Sequence, residues 1–456
     1  MIRALIVSAV LAFGLSASAL AHDHTPTARA AAPAVKPAER GVRVQEVVSE
    51  QGIRAWLVSD STVPMITLRA SWRGGQALEP AAKSGMIGMM VDMLTEGSGD
   101  LAADQFKVRM EQLNMSLGFG ANWDGVGMSL TTLTRNRDAA FDLARLVLQS
   151  PRFDDAPLAR IKRQMEVGIR QRETNPNFIA NKALDEALIP GHPYALRTSL
   201  DGVRAVTRQD LQKAFTDLVV RDGMIVTVVG DIDAATLGPL LDRVFGVLPA
   251  VGLRATLPAA EIRPPQGVIV RTLPQPQSLV LFAAPGIDDH DPDWIALAVA
   301  NYIVGGGGFS SRLMDEVREK RGLVYGIGTS PSVRDLAAFI RGSAQTENKD
   351  VPEAMAVIKD ELRKLAERGV TDAEVRDAKT YLTGSFPLSL DSNTEIASVL
   401  HSYQWDGRDA AYVNRRNSLI EAVTRADVER VLRRLYAPEN FTFVVVGQPE
   451  GVAAAH

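Results

Sequence analysis

An α+β fold made of two homologous domains, each a mainly antiparallel sheet packed against helices, is predicted by three features of this 456-residue sequence. From Val42 onward, short apolar strand patterns alternate with amphipathic helices. The pattern then repeats internally: AVTRQDLQKAF begins at Ala205 and AVTRADVERVL at Ala422, while VTVVGD reaches its glycine at Gly230 and FVVVGQ at Gly447, both pairs at an offset of 217 residues. Hydrophobic residues make up 46% of a cysteine-free chain, enough for more than one core but with no disulfide to help it.

Taken in order, the first 21 residues have the form of a secretory signal: Arg3, an apolar run from Ala4 to Leu15, and Ala19-Leu20-Ala21 as the cleavage site. The mature chain is therefore expected to be exported, to the periplasm, with no membrane span. Residues 22–41 are rich in Ala, Pro and Thr and read as a flexible tether, in which His22-Asp23-His24 has nothing nearby to fix metal geometry. The first domain is expected over 42–247. It comprises strands in VRVQEVVS, IRAWLVSD and PMITLRASWRG, helices from Gly85 and Ala103, a hairpin in SLGFGANWDGVGMSLTTLT, helices over 138–149, 155–174 and 177–187, and a strand over 223–229. A Pro/Ala-rich connection, 248–266, leads to the second domain, 267–450. In both copies of the repeat a Thr caps a helix with Asp three residues on, Thr207/Asp210 and Thr424/Asp427. The formal net charge of −4 argues against a nucleic-acid partner.

The stretch Tyr302 to Thr329, YIVGGGGFSSRLMDEVREKRGLVYGIGT, combines a glycine run, a charged helix and a strand. Gly305, Gly306, Gly307 and Gly308 should end the apolar helix that begins at Trp294. Ser310 or Ser311 can cap the next helix and Gly322 stop it, which brings Arg318 and Tyr325 towards one spot. Locally, Arg318 belongs to a charge run of the kind that coats solvated helix faces, and a lone strand Tyr is usually packing. The glycine run lacks the Lys-Ser/Thr of a phosphate loop, so a turn bordering a cleft is the better reading.

With GGGGFSSRL…VREKRGLVYGIG, ETNPN (Glu173 to Asn177), GHPY (Gly191 to Tyr194) and the repeat in hand, the chain resembles the insulinase-type zinc peptidases of family M16, over everything after the tether. The resemblance implies two M16-type domains. Active members carry H-x-x-E-H on a helix, two histidines on one face and a glutamate that activates water. Registered on Met93-Leu94 and Gly97, the equivalent positions here are Gly88, Val91 and Asp92, and that of the third ligand, a glutamate, is Gly168. All four ligand and base positions are lost, so no metal is expected in this chain, and the methionine-rich helix around them reads as buried scaffold. The family's Arg and Tyr, seven residues apart, match Arg318 and Tyr325. A guanidinium can hold peptide carbonyls, and a tyrosine hydroxyl can donate to a developing oxyanion.

The resemblance thus implies the zinc-less subunit of an exported heterodimeric peptidase, lending Arg318 and Tyr325 in trans to an H-x-x-E-H partner that holds zinc and cleaves peptides. The alternative is a non-enzymatic peptide-binding or scaffold protein, as a homodimer, that kept the fold and lost the chemistry.

Overall fold

The central strands of this chain are buried on both faces, and the architecture answers the question of what covers each face. The computed structural model describes residues 41–253, 256–265 and 267–452. The signal sequence with its cleavage site and the tether with His22-Asp23-His24 lie outside the described residues.

The first half contains β1 (Gln45–Val48), β2 (Arg54–Ser59), β3 (Met65–Arg73), α1 (Met86–Met93), the small pair β4 (Gly97–Ser98) and β5 (Leu101–Ala102), α2 (Ala103–Gln112), β6 (Ser116–Ala121), β7 (Gly125–Leu133), α3 (Arg137–Gln149), α4 (Asp155–Arg172), α5 (Pro176–Leu188), α6 (Leu200–Ala205), α7 (Arg208–Leu218), β8 (Ile225–Gly230) and α8 (Ala234–Phe245). The second half follows with β9 (Val268–Thr272), β10 (Gln277–Pro285), α9 (Trp294–Asn301), β11 (Gly326–Arg334), β12 (Ala337–Glu347), α10 (Val351–Arg368), α11 (Asp372–Ser385), α12 (Asn393–Trp405), α13 (Tyr412–Ala422), α14 (Arg425–Leu435) and β13 (Thr442–Gly447).

The sheets run β1-β2-β8-β3-β7-β6 and β9-β13-β10-β12-β11. Apart from β1 the order is the same. In each sheet one parallel pair, β2 with β8 or β13 with β9, joins otherwise antiparallel ladders. The 217-residue offset holds over the later part of each half, where α5, α7 and β8 map onto α12, α14 and β13 end to end. Both capping boxes form, at Thr207/Asp210 and Thr424/Asp427.

Period-two alternation splits each sheet between two cores. Leu68, Ala70 and Trp72 of β3 and Val226 and Val228 of β8 face the first half's own helices. The opposite face of β2 and β8, with Trp56, Val58 and Val229, receives Ala397 and Leu400 of α12, from the other half. Reciprocally, Ala180, Ala183, Leu184 and Leu188 of α5 pack on Leu281, Ala283, Phe339, Val444 and Val446 of the second sheet. Each half therefore seals the other's sheet with the same helix of the repeat. At about 1.5–3 kcal/mol per fully buried aliphatic side chain, this exchange is a major part of what joins the halves.

Two sequence motifs serve that junction. In ETNPN, the Asn175 side chain accepts from the N–H groups of Asn177 and Phe178 while Pro176 takes the first helical position, which fixes the start of α5. In GHPY, Tyr194 is fully buried; its hydroxyl donates to Asp124 and accepts from the Leu336 N–H at 3.1 Å, so one side chain ties the halves together. Burial, followed by the neighbouring Asp124, raises the tyrosine's pKa. Beyond the buried Leu248, the described parts of the connection 248–266 lie along the surface, with Leu253 N–H bonded to Asp217, Ala260 N–H to Leu336 and Arg263 N–H to Leu188 carbonyls.

Candidate functional site

The glycine run does its work inside the chain. A Cβ at Gly305 would stand 2.5 Å from Thr329 Oγ1, one at Gly306 2.6 Å from Asn301 Nδ2, and one at Gly307 2.7 Å from the Tyr302 carbonyl oxygen. Beneath them, Asn301 Nδ2 donates to the Thr329 carbonyl (3.1 Å), while Thr329 and Tyr436 hydroxyls both donate to Asn301 Oδ1 (2.9 and 3.1 Å). Only Gly308, at φ +57°, is a turn glycine with open space where a Cβ would go. The expected cleft-lining glycine loop is therefore corrected: Gly305, Gly306 and Gly307 admit close approach of the chain's own residues, and none of the four lines the cavity at Arg318.

The helix before the run does not stop at Gly305 as expected. It continues to Gly306 in π-helical form, with the Gly307 N–H bonded to the Tyr302 carbonyl at 2.9 Å. A second π-helical segment, Met314–Glu319, contains Arg318, and Lys320 N–H closes it on the Asp315 carbonyl at 2.9 Å. Such i→i+5 bonds insert one residue in a turn and shift the side chains that follow by about 100°; they occur preferentially at functional sites. Ser311 does not cap this helix with its side chain; its hydroxyl instead donates to the Gly308 carbonyl at 2.7 Å. Gly322, at φ +65°, ends the helix as expected.

Arg318 and Tyr325 line one open cavity of ≈ 380 Å³, with Glu319, Leu323, Glu347 and Asp350 among its other walls. The Arg318 guanidinium lies 4.9 Å from the Phe309 ring centroid and donates to Glu319 Oε1 at 2.5 Å. Tyr325 precedes β11, where its N–H bonds the Gln345 carbonyl at 3.0 Å and extends the ladder. Its side chain is 58% exposed, and among the described residues its hydroxyl makes no hydrogen bond. The arrangement offers a held guanidinium and a ready phenol donor on one solvent-facing wall. Phe309, Glu347 and Asp350 were not foreseen; Phe309, 70% exposed directly after the glycine run, had a signal in the sequence, whereas the two acids come from the remote β12–α10 corner.

On α1, Ile87, Met89, Met90, Val91 and Met93 are buried. Glu79 anchors the helix start by accepting from the N–H groups of Gly85 and Ile87, both at 2.6 Å. Gly88 and Asp92, one turn apart, occupy the open stripe, and Gly168 on the neighbouring α4 is exposed. A Cβ at Gly88 would meet only Gln76 Nε2, at 3.8 Å, and one at Gly168 nothing within 4 Å. Asp92 keeps part of its side chain in water, while desolvation and then Glu96 raise its carboxyl pKa. Two glycines, a valine and one carboxylate do not fit a zinc ion, which needs three convergent ligands.

The comparisons agree with that donor set. A family model described as "Peptidase M16 inactive domain" matches residues 205–382. The non-peptidase homolog YmxG of Helicobacter pylori is 24% identical over 387 residues, covering 84% of this chain and 89% of its own. The uncharacterised zinc protease YmxG of Bacillus subtilis is 20% identical, covering 90% and 99%. Among solved structures, a peptidase M16 inactive domain from Pseudomonas fluorescens superposes with a TM-score of 0.84 at 26% identity, covering 91% of this chain and 100% of that one. The periplasmic protease PqqL of Escherichia coli, at 15% identity, shares the fold over 89% of this chain and 45% of its own, with a TM-score of 0.77. No helix among the described residues is long and apolar enough to cross a membrane. With two sheets of one topology, an inactive-domain model matching residues 205–382 and a helix whose registered positions offer no zinc donor set, the chain is similar over most of its length to the inactive, zinc-less proteins of peptidase family M16.

Proposed function

We infer that this protein is the zinc-less subunit of an exported two-subunit metallopeptidase. A partner chain carrying H-x-x-E-H supplies zinc and the general base, and this chain presents Arg318 and Tyr325 to the peptide in the partner's site. The observation that carries the reading is the pairing of opposites: a helix without metal ligands, and an Arg and Tyr that share one open cavity with the phenol unengaged. In that role Arg318 holds a peptide carbonyl, steadied by Phe309 and Glu319, and Tyr325 donates to the oxygen that becomes negative during attack.

The test is peptidase activity of this chain mixed with an exported H-x-x-E-H homologue. Tyr325→Phe and Arg318→Ala should each lower kcat/KM by about 10²-fold while co-purification of the two chains is unchanged. Full activity in both variants would remove the proposed role. The name of the Helicobacter pylori relative, a non-peptidase homolog, favours a second reading in which the fold binds peptides or partners without chemistry. That reading predicts no activity in any mixture.

A further inference from the structure

A second cavity, of ≈ 300 Å³, opens where the end of α4 meets the start of α5 and the loop into α6. Its walls carry Arg172, Lys182, Arg197 and Arg204 against Glu173 and Asp201. Arg204 is paired with Glu166 (Nε to Oε1, 3.1 Å), and the Asp201 side chain is 99% exposed, where water screens it. Arg197 donates to Asp185 at 2.6 Å. Asp185 is almost wholly buried, and the same carboxylate also faces Arg334 and Arg341. Of the three guanidinium groups around Asp185 only Arg197 lines the cavity, and its second terminal nitrogen donates to the Tyr194 and Leu196 carbonyls at 3.0 and 3.1 Å.

Arg172 is the sharper observation. One of its terminal nitrogens donates to the Thr198 carbonyl at 2.5 Å, and its guanidinium stacks 5.0 Å from the Phe178 ring centroid. Its Nε–H is buried with no acceptor among the described residues. Desolvation, and then the charge of Arg197, lower the pKa of Arg172, as expected of a cation short of counter-charge. Buried, unsatisfied guanidinium donors are costly to leave unpaired, and their planar fork matches a carboxylate or phosphate. Lys182 lies one helical turn beyond Phe178 on α5, at the rim, its side chain about half exposed and 3.9 Å from the equally exposed Glu186, a loose pair that water screens.

We propose that this cavity is a binding site for an oxyanion, a carboxylate or phosphate group seated against Arg172 and Arg197. The site stands on residues separate from Arg318 and Tyr325 and holds whether or not those act in trans. The group can come from the C-terminus of a bound peptide or from a free anion, and one experiment separates these.

The mature full-length chain is titrated by calorimetry, at constant ionic strength, with inorganic phosphate and with a short acetylated peptide as its free acid and as its amide. Saturable binding of at least one anion is expected, weakened about tenfold or more in Arg172→Gln and severalfold in Lys182→Gln, and unchanged in Lys213→Gln on α7, which is paired with Asp217 and is not among the cavity's walls. A free acid that binds tenfold tighter than the amide, with phosphate competing, assigns the site to a peptide terminus; phosphate binding without that preference assigns it to a free anion. Absence of saturable binding for both anions overturns the proposal, as does binding unaltered in Arg172→Gln and Lys182→Gln. Should Arg172→Gln lose its circular-dichroism signature of folding, Lys182→Gln on the rim carries the decision alone.

Discussion

Between pH 7.5 and pH 5 the chain should lose about 2 kcal/mol of stability relative to a His401→Gln variant. His401 projects from α12 into the face of the first sheet. Thr227 donates its hydroxyl proton to Gln404 Oε1 (3.0 Å), so its oxygen accepts from the His401 Nδ1–H (3.2 Å), and Nε2 is left to accept from the Ser71 hydroxyl at 2.7 Å. The neutral imidazole is fully matched and the cation is not. Burial, and then the charge of Arg69, push the histidine's pKa down from 6.5 to about 4. The unfolded chain therefore takes up the proton first. Stability is complete above pH 6.5 and falls as pH drops towards 4, at about 1.4 kcal/mol per pH unit through the window, to a limit of about 3 kcal/mol. Asp406, raised to about 6 by burial and then by Asp289, titrates in the same window with the opposite sign. It is common to both proteins, so only the difference between them is read. Urea unfolding at several pH values, followed by intrinsic fluorescence, supplies the two curves. Parallel curves would refute the reasoning, because they would mean that the imidazole takes a proton in place without separating α12 from the sheet.

Three further outcomes follow from the packing. Tyr194→Phe strands Asp124 and the Leu336 N–H at the junction and should cost about 1–3 kcal/mol by the same urea assay. Gly306→Val drives a side chain into Asn301 and should destabilise by about 1–3 kcal/mol, with peptide binding at the Arg318 cavity unaltered in the protein that remains folded. Arg318→Ala and Tyr325→Phe, in contrast, should leave the unfolding midpoint within about 0.5 kcal/mol of the parent, because both side chains stand on an open wall.

Much of this architecture was legible because the repeat is regular. The strand and helix patterns stand where the structure has them, and a single offset carries α5, α7 and β8 onto α12, α14 and β13. The crossing of α5 and α12 between halves was not legible. Continuous runs such as VTVVG say that both faces of a strand are buried, but the identity of the second cover depends on a helix far along the chain. The glycine run failed for the same reason. Its tight spacing is demanded by Thr329 and Asn301, one of which comes back only on β11, and a local reading sees just flexibility. Arg318 and Tyr325 could be singled out from motif and spacing, whereas Glu347, Asp350 and the guanidinium group around Asp185 are assembled from separate elements and left no local pattern.

The open stripe on α1 lets the loss of zinc be tested by reversal. Gly88 and Asp92 are four residues apart on the exposed side of that helix, and Gly168 faces open space on α4, which packs against it. Gly88→His with Asp92→His sets two imidazoles on one face, and Gly168→Glu adds the carboxylate that completes a three-ligand set. None of these side chains meets backbone at its first atom, so the loss lies in the donors and the scaffold around them is intact. The triple variant should bind zinc at one equivalent by metal analysis after dialysis, and gain in thermal stability when zinc is added. Val91 differs, because it is only 4% exposed and a glutamate there would be partly desolvated. Restored binding with only feeble hydrolysis after Val91→Glu is therefore expected. A folded triple variant that takes up no zinc would show that α1 and α4 no longer hold the spacing a tetrahedral site requires, and that the register placing Gly88, Asp92 and Gly168 opposite one another is wrong.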